Sequence, residues 1–119
     1  LLKRPPFIWE NLFANDGPKN CKFLKVKPFS GRERGLKSLV EAFAFNLMNQ
    51  PELSKIVFLA SRLTLGMDQD PNAALGEAMG QLCSAEFAAF LQQHKEMYLA
   101  QGLDGIDDSV KQQHVQLLQ

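Results

Sequence analysis

Through most of the chain apolar residues recur at three- and four-residue intervals, the spacing of helices that bury one face. The strongest such stretch is Ser30–Gln50. There Leu36, Leu39, Val40, Phe43, Leu47 and Met48 share a face that Ala42, Ala44 and Phe45 widen. A helix apolar round most of its circumference belongs at the centre of a domain. Ser30 and Glu33 have the S-x-x-E spacing of a capping box, and Pro51 disfavours helical geometry in the residue before it. The pattern predicts a central helix over 30–50.

Later segments are punctuated more plainly. Pro51 suits the first position of a second helix, which Leu53, Ile56, Val57, Leu59, Ala60 and Leu63 carry to a stop at Gly66. Asp70-Pro71 repeats the start signal, an N-cap followed by proline. A helix from Asn72 to Gln101 would be about 45 Å long at 1.5 Å per residue. Gly76, Gly80 and Ser84 predict a break near Gly80–Ser84. The break separates a small-residue helix from an aromatic one with Phe87, Leu91, His94 and Tyr98 on one stripe. Asp104 or Asp107 caps a last helix containing Ile106, Val110, Val115, Leu117 and Leu118.

Residues 1–29 have no sustained period. Pro5-Pro6 is extended, Ile8, Trp9, Leu12 and Phe13 suit a short helical turn, and Asn15-Asp16-Gly17-Pro18 is a turn. Phe23–Lys27 reads as a short extended segment, one edge strand ended by Pro28. The expected architecture is all-α: one domain over 1–119, with a bundle of four to six helices in 30–119 and an irregular aromatic and basic arm in 1–29. The chain reads as a module of a longer protein.

Composition narrows the class. A hydrophobic fraction of 45% with 22% charged residues is that of a globular protein and excludes disorder. No apolar run approaches the roughly 18 residues of a membrane span. Cys21 and Cys83 stand in unrelated contexts without a C-x-x-C, which predicts two reduced thiols and an intracellular, cytoplasmic setting. The net charge of zero conceals a polarity, because residues 1–37 hold nine basic groups against three acidic ones. Such asymmetry points either to an electrostatic partner or to attraction between two parts of one domain.

Recognisable chemistry is sparse. Asp68, Asp70 and Asn72 alternate as in a calcium loop, but the sixth and twelfth positions are Ala73 and Met79 where glycine and glutamate are needed. Residues 56–82 superficially suit a helix-turn-helix, yet the second helix has no basic residue to meet phosphate. Gly76 and Gly80, four apart, offer a close helix contact in the core or a dimer face. Cys83 and His94 would be about 16 Å apart along a straight helix, too far for a nucleophile and its base. No metal, cofactor or catalytic motif is predicted.

The remaining signal is the basic segment 19–37 with its interleaved Phe23 and Phe29, together with the aromatic Trp9 and Phe13. Two settings suit these aromatics: docked on the core, or exposed as an anchor. The candidate partner-binding residues are Trp9, Phe13, Lys22, Lys25, Lys27, Arg32, Arg34 and Lys37. On these grounds the expected function is non-catalytic, a helical protein-interaction or regulatory domain whose partner is another protein or a flanking domain of the same chain. The alternative is a nucleic-acid-binding accessory domain that uses the basic segment.

Overall fold

Helix caps and proline starts locate four α-helices in a computed structural model that describes residues 3–33 and 35–117. Helix α1 spans Pro51–Met67, α2 Pro71–Leu82, α3 Ala85–Ala100 and α4 Asp108–Leu117. Asp70 caps α2 by accepting the N–H groups of Asn72 and Ala73, both at 3.0 Å. Ser84 caps α3 through the Phe87 N–H at 3.2 Å, which places the break inside the expected Gly80–Ser84 window. Asp107 caps α4 through the Val110 N–H at 2.9 Å. Helix α1 runs one residue past Gly66, and Asp68 at φ 53° takes the left-handed position that ends it. The fold is thus a small, mostly α-helical bundle with an irregular N-terminal part. Leu118 lies outside the described residues.

The expected central helix over 30–50 does not form. Gly31 and Gly35 take φ of 77° and 82°, so the segment turns twice where a helix should start, and the Ser30–Glu33 capping box has nothing to cap. A 3-10 turn at Leu36–Leu39 follows, then strand β2 at Ala42–Phe45. The A-F-A-F of β2 alternates strictly, and a period of two competes with the helical period over the same letters. Tertiary pairing decides between them. Strand β1, Phe7–Glu10, lies parallel to β2 with Phe7 opposite Ala42, Ile8 opposite Phe43, Trp9 opposite Ala44 and Glu10 opposite Phe45. The helical turn expected at 8–13 is therefore a strand for its first half. The edge strand expected at Phe23–Lys27 is absent, although Leu24 and Val26 are buried.

Alternation sorts the sheet's two faces. Phe43 and Phe45 face the core with Phe13 and Phe29, with the exposed Phe58 at the edge, and ring centroids lie 5.5–6.4 Å apart in a connected aromatic cluster. This cluster merges with Ile56, Val57 and Ala60 of α1 and Leu75, Ala78 and Met79 of α2. A second core joins Leu24 to Phe90 and Tyr98 of α3 and Val110 of α4. Gly76 and Gly80 belong to neither core. Both are exposed, and a Cβ on either would meet nothing within 4 Å, so the close core contact expected of them is absent.

Candidate functional site

Two parallel strands present their carboxyl ends side by side. Phe7, Trp9, Ala42 and Ala44 form the face turned away from the core, and Phe7 and Trp9 are 62% and 65% exposed. Just beyond the strands this face continues into two carboxamides. The Asn46 backbone N–H donates to the Glu10 carbonyl at 2.9 Å, which extends the pairing by one residue. Asn46 Nδ2 then donates to Asn11 Oδ1 at 3.1 Å, and Trp9 Nε1 donates to the same oxygen at 3.1 Å. Asn11 is exposed and Asn46 half-buried, and Asn11 Nδ2 makes no hydrogen bond among the described residues.

The opposite face holds this end in place. Glu10 is buried, its Oε1 accepts the Leu12 N–H at 2.9 Å, and its Oε2 accepts Arg32 Nε at 3.1 Å and also Nη2. A buried carboxylate with a forked guanidinium partner is satisfied in geometry and charge. Arg32 also lies over the Phe29 ring at 5.8 Å. Below it, Asn15 is fully buried and bonds the loops that follow the two strands: its Oδ1 accepts the Asn49 N–H at 2.7 Å.

Four described cations of the basic segment, Lys22, Lys25, Arg32 and Lys37, have acceptors within the chain. Lys22 donates to Asp104 at 2.9 Å, and that hydrogen bond, with the carboxylate's charge, raises its pKa above the usual lysine value. Lys25 donates to the Ala14 carbonyl. Lys27 is half-buried and its pKa is lowered, first by burial and then by the nearby Lys25. Lys37 reaches the Gly66 carbonyl at 3.3 Å. Arg34 lies outside the described residues. Phe13 is fully buried in the aromatic cluster, whereas Trp9 is exposed beside the carboxamides. Of the described candidates, the structure brings Trp9 to the exposed face of the strand ends and Arg32 to the opposite face, on Glu10.

Cys21 and Cys83 are both unpaired. Burial raises the Cys83 pKa, which weakens it as a nucleophile. Among the described residues no group of three histidine, cysteine or acidic side chains could hold a metal. No described helix is long and apolar enough to cross a membrane.

Asn11, Asn46 and Glu10 were missed by sequence reasoning because helical periods were assigned to both strands. The available signal was F-I-W-E and A-F-A-F, each followed at once by asparagine.

The sequence model of the beta-N-acetylglucosaminidase family matches residues 1–97. No curated protein and no solved structure matches the chain. The family match overturns the expectation of a non-catalytic interaction domain, with its nucleic-acid alternative, and points to a glycosidase-related domain. It equally overturns the expectation that the chain is not an enzyme, by pointing to an enzyme-related domain. That expectation rested on the absence of a recognisable catalytic motif in the sequence.

Proposed function

The chain belongs to the beta-N-acetylglucosaminidase family, and from that premise we propose that it supplies part of the surface that holds an N-acetylglucosaminide. The observation that carries the proposal is the Asn11–Asn46 carboxamide pair at the ends of adjacent parallel strands, beside an exposed Trp9. Sugar hydroxyls both donate and accept. A carboxamide does the same from one rigid plane, so it can bond a hydroxyl without carrying charge into the site. Asn11 Oδ1 already accepts from Trp9 and Asn46, which leaves its Nδ2 hydrogens free for a ligand oxygen and fixes which way the amide points. An indole face complements the C–H face of a pyranose, and its N–H bond to Asn11 holds the ring in place.

This chain's share of the chemistry is to bind and orient. Glycoside hydrolysis usually takes two carboxylates flanking the scissile bond. Glu10, the only carboxylate within either strand, is occupied by Arg32 and the Leu12 N–H and serves as a brace.

The test is steady-state hydrolysis of a chromogenic N-acetyl-β-glucosaminide by the full-length protein. Asn11→Ala and Asn46→Ala should each raise KM about threefold to tenfold, the range for losing a neutral hydrogen bond. Unchanged KM in both variants would overturn the proposal.

A further inference from the structure

Asn15 is wholly buried, and its side chain makes three hydrogen bonds to two separate segments. Nδ2 donates to the Phe23 carbonyl at 3.0 Å and to Gln50 Oε1 at 2.8 Å, while Oδ1 accepts the Asn49 N–H at 2.7 Å. Both donors and one acceptor site of the carboxamide are therefore occupied. The partners also fix its orientation, since a backbone carbonyl can only accept and a backbone N–H can only donate. Gln50 must then present its oxygen.

These bonds couple the two halves of the candidate site. Asn15 directly follows the Asn11–Ala14 turn, closed by the Ala14 N–H on the Asn11 carbonyl at 3.2 Å. Asn49 and Gln50 end the loop that begins at Asn46, and Gln50 is the residue that opens α1. The Asn15 side chain thus joins the far ends of the two loops whose near ends carry the Asn11–Asn46 pair. Buried hydrogen bonds of this kind are stiff, because the alternative is an unpaired polar group away from water.

We infer that Asn15 is a positioning residue for N-acetylglucosaminide binding, setting the separation of Asn11 and Asn46 through Asn49 and Gln50. The inference rests on the sugar-binding reading of that pair. A displacement on the order of 1 Å at such a pair is enough to weaken binding and turnover.

Asn15→Ala removes all three bonds at once and risks the fold, so Gln50 is the better lever. Gln50→Leu deletes one acceptor at a half-buried position, while Gln50→Glu retains an acceptor for Asn15 Nδ2. In the full-length protein, Gln50→Leu should raise KM for the chromogenic N-acetyl-β-glucosaminide, and Kd for N-acetylglucosamine, about threefold to tenfold. Gln50→Glu should restore both to about the parent values. Combined with Asn11→Ala and Asn46→Ala, Gln50→Leu should add no further rise in KM, because the pair it positions is gone. A lower melting temperature for Gln50→Leu with unchanged KM and Kd would overturn the inference and leave Asn15 a purely structural residue. Equal KM values for the Leu and Glu variants would overturn it as well. If Asn11→Ala and Asn46→Ala themselves leave KM unchanged, the sugar reading has failed and the positioning role falls with it, a pattern distinct from either of the others.

Discussion

Residues 3–50 and residues 51–117 are held together by different physics. The second region is helical, and its order comes from local signals: a proline or capping side chain at each helix start, and apolar faces at helical spacing. The first region has two four-residue strands and little else that repeats. It is organised by side chains that reach across the chain: the aromatic cluster around Phe29, the Glu10–Arg32 pair, and Asn15 with its three partners. The candidate site lies in the first region. Long-range polar bonds can place two loops against each other, which a helix cap, acting within one turn, cannot do.

The comparison can be broken most severely at Phe29. It is 1% exposed and its ring lies 5.5–6.4 Å from those of Phe13, Phe43 and Phe45. Phe29→Ala should cost about 3–5 kcal/mol, the usual range for emptying a buried aromatic site. The lowered urea midpoint should be accompanied by loss of the β1–β2 amide protection, because Phe29 is the core ring that meets both Phe43 and Phe45 of β2. Retained protection in those strands would mean that backbone pairing, not the cluster, orders the first region.

A smaller effect is expected at the joint between the regions. Gly102 has φ 71° and ψ −174°, a combination open essentially to glycine alone, and the Leu103 N–H bonds the Lys22 carbonyl at 2.8 Å. A Cβ there would lie 3.0 Å from that carbonyl oxygen and 3.2 Å from a Phe23 ring carbon. Gly102→Ala should cost about 1–3 kcal/mol from backbone strain. Chemical shifts should change around Lys22 and Phe23 in one region and Leu103 in the other. Changes confined to 100–106 would show that the two regions are not joined at this point.

The smallest effect is local to the helical region. The Ser109 hydroxyl and then the Val110 N–H lower the Asp107 pKa below its ordinary value of 3.8. A carboxyl whose folded pKa is depressed stabilises the fold above its unfolded pKa and loses that contribution as pH falls through the folded one. Amide exchange in the first turn of α4 should therefore accelerate below about pH 4, the usual aspartate range. In Asp107→Ala that turn should be frayed at every pH and the acid step should vanish. An acid step that survives the substitution would belong to another group.

The sequence by itself determined the helices after Pro51, the break before Ala85 and the globular, mostly helical character. Caps, prolines and apolar periods are local properties, legible within a few residues. It could not determine the state of Ser30–Gln50, whose letters satisfy a helical period and, at A-F-A-F, a strand period equally. Pairing with Phe7–Glu10 and burial of Phe43 and Phe45 against Phe29 decided for the strand. The site became visible only then, because Asn11 and Asn46 meet across 35 positions of sequence. Likewise Lys22, Lys25 and Arg32 resemble a free basic surface as letters, yet the fold gives each an internal acceptor. Which charges are satisfied within the chain, and which amides converge, depends on long-range geometry that only the tertiary structure supplies.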